Sequence, residues 1–304
     1  MKKFLTIFCV LIMVSAYTFA GVVYTAKTST EIADQKVKEQ MENSPFANIN
    51  KPTTMKVYAE GKKFRVEIVK GGNMLTPEGT IVLSQDGKMA YFINPKEKTY
   101  WEMDLEQLKK MGESATKLMK KFAKMRYKDI FVDVVDMGSG GEVAGYKTEK
   151  YKMLVKYTME MKILFKKINS EIKRETEIYT TKSLDMSDFD MYSFSNSFTS
   201  GIPEIDSQVM SKLKVIGFPL KTVSYQYNDK GKLQSIATFE IVSIKKESVP
   251  NSMFVLPKGY TKVESPIMKM VGETQVSPAG NPDSTNSPSE EGQKKKKFNF
   301  KDLF

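Results

Sequence analysis

The sequence predicts a mainly β (α+β) domain built on a strongly curved antiparallel sheet of about eleven strands, and three observations carry that expectation. Apolar and polar residues alternate with period two, as in Phe64, Val66 and Ile68 against Arg65 and Glu67. The alternating stretches are short and separated by turn residues, among them Glu60-Gly61, Asp86-Gly87 and Asn228 to Gly231. Only two stretches carry helical spacing. That many strands in one open sheet must curl, so a bent sheet or incomplete barrel is expected.

Taken in order, Lys2 and Lys3 precede an uncharged, mostly apolar run ending in Thr18, Phe19 and Ala20, the pattern of a signal peptide over residues 1–20 with cleavage after Ala20. The alternative is an uncleaved anchor, since no charge follows until Lys27. In either case the basic start predicts export of the body, residues 21–264. The first strand is expected at Val22 to Thr30, then a polar segment through Asn50, then a strand through Phe64, Val66 and Ile68 and another at Ile81 to Ser84. A hairpin follows over Tyr91 to Met103, with large apolar residues on both of its faces, where a sheet over an ordinary core needs only one.

Asp104 to Met125 is the clearest helix. Asp104 can cap it with Gln107 at the capping-box position, and Leu105, Leu108, Met111, Ala115, Leu118, Phe122 and Met125 recur at spacings of three and four. Its lysine-rich opposite face fits a helix laid over a sheet, with a membrane-surface helix as the alternative. Further strands are expected at Ile130 to Met137, Tyr146 to Tyr157, Ile172 to Thr181, Pro219 to Tyr227 and Leu233 to Ile244. Leu184 to Ser200 reads as irregular or weakly helical. A short helix from Pro203 to Lys214 puts Ile205, Val209 and Leu213 on one face, with Gly217 beyond its end. Residues 265–304 shift to Pro, Ser, Asn, Glu and Lys and read as a disordered tail.

Composition narrows the chemistry. The 304 residues contain no histidine, and the one cysteine, Cys9, lies within the apolar leader. Zinc, haem, thiol and imidazole chemistry therefore lose their usual ligands and bases, and no cofactor is expected. Without disulfides, a body of roughly 245 residues must be held by its core, and it is long enough to build one. Removing Lys2 and Lys3 lowers the formal charge from +11 to +9, which favours anionic surfaces such as phospholipid headgroups. Nucleic acid is the rival polyanion, but no nucleic-acid module is recognisable. Eighteen of the 20 methionines lie beyond the leader, as adaptable pocket lining or as ordinary core filler.

Several segments resemble the LolA/LolB-like superfamily of periplasmic lipoprotein carriers, in particular its branch of exported domains of unknown function. The residues are TIVLSQDGKMAYFINPKEKTYWEMD at Thr80 to Asp104, GKKFRVEI at Gly61 to Ile68, GFPLKTVSY at Gly217 to Tyr225 and VPNSMFVLPKGYTKV at Val249 to Val263. The resemblance implies a half-barrel with helices across its open side, enclosing an apolar cavity for acyl chains in the periplasm of a Gram-negative-type bacterium. The lipoprotein shuttles carry an Arg-Pro pair before the Phe of that strand, where this chain has Lys62 and Lys63. An Arg fork and a Lys point charge are not interchangeable, which weakens the case for dedicated lipoprotein transfer.

The expected function is thus a non-catalytic exported module binding a lipid or another hydrophobic molecule. Candidate lining residues are Phe64, Val66, Ile68, Val82, Tyr91, Ile93, Trp101 and Met103; candidate headgroup contacts are Lys62, Lys63 and Arg65. Expected partners are the ligand itself and a membrane surface or an envelope lipoprotein. The alternatives are a structural or interaction component with a side-chain-filled core, and an envelope hydrolase using carboxylates such as Asp133, Asp136, Asp185, Asp188 and Asp190.

Overall fold

The computed structural model describes residues 21–35, 38–39, 51–73, 75–107, 110, 126–163, 166–184, 202–213 and 216–266. The leader, most of the helix expected at Asp104 to Met125, residues 185–201 and nearly all of the tail lie outside them. By contact the chain divides into Met1–Ser265 and Pro266–Phe304; the fold described here belongs to the first unit.

Twelve strands form one sheet: β1 (Val22–Ile32), β2 (Thr53–Glu60), β3 (Lys63–Lys70), β4 (Ile81–Ser84), β5 (Met89–Asn94), β6 (Thr99–Asp104), β7 (Arg126–Val143), β8 (Tyr146–Ile163), β9 (Lys166–Thr181), β10 (Phe218–Tyr227), β11 (Leu233–Lys246) and β12 (Thr261–Lys262). Their order is β12-β6-β5-β4-β3-β2-β1-β11-β10-β9-β8-β7. Two meanders, β1 to β6 and β7 to β11, are joined because β1 pairs antiparallel with both β2 and β11. Every pairing is antiparallel except the short β12 beside β6.

The expectation of about eleven strands falls one short. Two observed strands have no named counterpart among the expected ones, β2 and β12, and the second is two residues long and too brief to show any alternation. Strand β7 also runs further than the expected Ile130 to Met137. Past that expected end, register shifts at Asp136/Ser139 and Ser139/Gly141 carry the pairing through the glycines, with Gly138 and Gly141 at positive φ.

The helix α1 (Pro203–Leu213) starts with proline at its first position, and Ile202 O accepts the N–H groups of Ile205 and Asp206. Its buried stripe is Ile205, Val209 and Leu213, as the spacing predicts. These pack with Val132, Met153, Val155 and Ile178 of β7, β8 and β9. Gly217 then turns the chain at φ +94, where an added Cβ would stand 2.8 Å from Thr181 O.

The sheet uses its two faces differently. Through the strand register, Tyr151, Ile178, Thr222 and Phe239 share one face with Tyr24, Val57 and Val66, so the α1 cluster and the main core lie on the same side. Across the sheet, β8 and β9 present a solvated ion-pair lattice: Lys150 to Glu177 at 2.9 Å, Lys152 to Glu175 at 2.8 Å and Lys173 to Glu175 at 2.6 Å. Over β1 to β6 that second face is instead closed by the chain's own return. There a 3-10 turn at Asn251–Phe254 packs Val249 and Phe254 on Leu83 and Ile93, with Tyr58, Tyr91, Tyr100 and Tyr260 around them.

Polar tethers accompany this closure. Lys63 Nζ donates to Asn251 Oδ1 at 2.7 Å, and Arg65 Nη1 donates to Met253 O at 3.3 Å. The apolar term dominates, because Phe254 is 2% exposed while the lysine bond is open to water. Phe254→Ala should therefore lower unfolding stability by about 3–5 kcal/mol, and Lys63→Ala by about 1 kcal/mol or less; urea unfolding of the two variants compares them directly.

Candidate functional site

The feature that stands out is a row of apolar side chains crossing seven strands. Register sets Ile244 against Tyr24, Tyr24 against Val57, Val57 against Val66, Val66 against Val82, Val82 against Phe92 and Phe92 against Trp101. Directly opposed residues on an antiparallel sheet point to the same face, so these seven form one continuous band. Phe64 and Ile68 flank it, and Leu105, Leu184 and the Val143 to Tyr146 hairpin end join the same cluster.

Local turn chemistry fixes this register. Asp86 Oδ1 accepts the N–H groups of Lys88 and Met89 at 2.8 and 3.1 Å, Ser84 Oγ accepts that of Gly87, and Gly87 takes φ +71. At the next turn Asn94 Oδ1 accepts from Lys96 and Glu97, and Lys98 closes it at φ +51. With Asn94 set against Thr99, Phe92 must meet Trp101, and their rings stack with centroids 3.8 Å apart and 5° between planes.

The structure sorts the sequence-derived candidates onto two faces. Phe64, Val66, Ile68, Val82, Trp101 and Met103 belong to the band's side. Tyr91 and Ile93 point the other way, into the cluster closed by Val249 and Phe254. One cavity on one face cannot be lined by all eight. The four-residue turn after Asn94 carried the necessary signal, since pairing Asn94 with Thr99 puts Ile93 opposite Tyr100 and makes Phe92, absent from the candidates, the partner of Trp101.

The headgroup candidates also separate. Lys63 and Arg65 bond the closing segment on the second face, and Arg65 Nε further donates to Glu67 at 2.8 Å. Lys62 is exposed in the β2 to β3 turn. Of the carboxylates, Asp133 lies 3.7 Å from Lys212 and Asp136 Oδ1 accepts the N–H of Gly138, so each has its own partner. Asp185, Asp188 and Asp190 lie outside the described residues. At the centre of the band, burial pushes the Tyr24 phenol well above its ordinary value, so it is neutral at physiological pH.

One charged residue breaks the apolar parity. Ile172, Arg174, Thr176 and Ile178 alternate on the band's face of β9, and Arg174 stands where the period asks for an apolar side chain. Its Nε and Nη2 are out of contact with solvent and have no hydrogen-bond partner among the described residues.

Two outcomes follow from this geometry. Phe92→Ala removes the ring stacked on Trp101, the sole tryptophan; stability should fall by about 3 kcal/mol or more and the emission should move to longer wavelength. The two backbone N–H bonds to Asp86 hold its carboxyl below the usual carboxylate range. A depressed folded-state pKa gives stability that is fully present above the unfolded value of about 4 and is lost as pH falls through the folded value. Asp86→Asn should flatten that acid-side slope in unfolding measured between pH 5 and pH 2.

A family model described as "Domain of unknown function (DUF4412)" matches residues 39–260, which takes in β2 through β11 and the 3-10 turn that closes the second face. No curated protein matches the chain. With most of its length covered by that match, the chain belongs to the DUF4412 family.

Proposed function

We propose that this protein is a non-catalytic exported module that holds a lipid, acyl chain or other apolar ligand against the face bearing Tyr24, Val66 and Trp101. The observation that carries the reading is the seven-strand apolar band.

Strands β6 and β7 are consecutive in sequence but lie ten strand spacings apart in the sheet. A flat sheet would separate them by roughly 48 Å. The linker, residues 105–125, begins as a helical turn at Leu105 with Asp104 Oδ1 accepting the N–H groups of Glu106 and Gln107. Continued as the helix that its spacing predicts, it would reach only about 32 Å. Such a helix closes the distance only if the sheet curls, which is the half-barrel with a helix across its open side that the LolA-like resemblance implies. Leu105 already packs into the cluster on the band's face, so the crossing would run over that face and roof an apolar space. A curved apolar sheet under an amphipathic helix is suited to a flexible hydrocarbon, and Met55 and Met103 supply adaptable lining.

A second reading has its own observation. Phe131, Val135 and Met137 are about half exposed on β7, which forms one edge of the sheet. Exposed apolar residues on an edge strand suit a structural or protein-interaction component of the envelope.

The deciding experiment is native mass spectrometry with lipid extraction on the mature body purified from the periplasm without detergent, followed by titration of Trp101 fluorescence with fatty acid. Bound lipid near one per chain and a saturable emission change are expected. A clean apo mass with unchanged Trp101 emission would sink the binding reading and leave the interaction reading in place.

A further inference from the structure

Arg174 is the strongest unexplained chemical feature among the described residues. It sits mid-strand in β9, opposite Val155 of β8 and Gln226 of β10, on the face covered by α1. A guanidinium stays protonated in proteins and carries five N–H donors. Here two of its nitrogens are shielded from water and bond to nothing among the described residues. Asp206, in the first turn of α1, is near enough for its charge to act on Arg174, yet no carboxylate among the described residues forms an ion pair with it. Burial correspondingly weakens its hold on the proton relative to an ordinary arginine.

The surroundings make the site selective. Tyr157 lies close to the guanidinium, and its ring meets Tyr127 edge-on at 5.9 Å and 78°. Val155 is 1% exposed. The site therefore joins a fixed positive fork to aromatic and aliphatic surface on the same face as the apolar band. Leaving buried charged donors unbonded is costly, and a packed apolar residue would serve stability better. An oxyanion presented by a ligand would satisfy the fork with two parallel N–H···O bonds.

We infer that Arg174 anchors the anionic head, a carboxylate or phosphate oxyanion, of an amphipathic ligand whose hydrocarbon runs from beside α1 toward the apolar band. This rests on the apolar-ligand reading and deepens it by naming the class: acidic amphiphiles rather than neutral ones. It also places the head on β9 and not at Lys62, Lys63 or Arg65.

The test compares oleate, oleyl alcohol and inorganic phosphate by calorimetry on the full mature chain and on Arg174→Met and Arg174→Lys. Oleate should bind wild type at least tenfold more tightly than oleyl alcohol. Arg174→Met should erase that preference while leaving alcohol binding unchanged, and Arg174→Lys should retain only part of it, since a point charge lacks the fork. With carboxyl-labelled oleate, the bound headgroup should titrate at lower pH in wild type than in Arg174→Met. Without ligand, Arg174→Met should unfold about 2–4 °C higher than wild type, because an unpaired buried charge has been removed.

An oleate preference that survives in Arg174→Met overturns the assignment while leaving apolar binding intact. Failure of wild type to bind either oleate or the alcohol overturns both readings together. Inorganic phosphate binding at Arg174 as tightly as oleate overturns the amphiphile and leaves a free-oxyanion site. Loss of folding in both variants overturns it as well, by giving the guanidinium a structural role.

Discussion

The double pairing of β1 is the constraint on which the rest of this architecture depends. By bonding β2 on one side and β11 on the other, one eleven-residue strand welds two meanders into a single sheet. Its burial pattern shows the work it does. Val22, Tyr24 and Ala26 are buried in strict alternation at the end nearest the core, while the pattern relaxes toward Ile32. A bulge opposite Thr25 and Ala26, where Val242 is the extra residue of β11, lets Ile241 and Ile244 both face inward against Ala26 and Tyr24. Once β1 is central, β7 and the short β12 beside β6 must be the two edges, and the chain between β6 and β7 must travel from one side to the other.

Much of this was legible in the sequence, for reasons that differ by element. Strand Ile81–Ser84 and helix Pro203–Leu213 were readable because apolar spacing, turn residues and the first-position proline all agree there. Strand β12 was not, because two exposed residues carry no pattern. The far end of β7 was hidden by glycine and serine, whose local preference yields to one good partner strand and two register shifts. The mixing of faces in the Tyr91 to Met103 hairpin had another cause. Alternation alone says which residues share a side within a strand, while the turn decides which sides meet across strands.

Its two apolar faces now have separate explanations. Phe92 and Trp101 belong to the band, and Tyr91, Ile93 and Tyr100 belong to the surface that Val249 and Phe254 cover. That covering could not be read from the hairpin, because it comes from residues about 150 positions later in the chain. Arg174 was readable in principle as a charge in an apolar phase of β9, but only the structure shows that two of its guanidinium nitrogens, Nε and Nη2, are enclosed.

The closing segment has a consequence for the life of the molecule. Residues 249–260 are among the last of the body to be made, and until they arrive, Leu83, Ile93, Tyr91 and Tyr100 remain an uncovered greasy surface. A chain cut short before them could still assemble most of its hydrogen-bonded ladder, yet it would display that surface to every protease and chaperone it met. Such a domain carries its own proof of completion: only the full-length product hides the mark of an unfinished one.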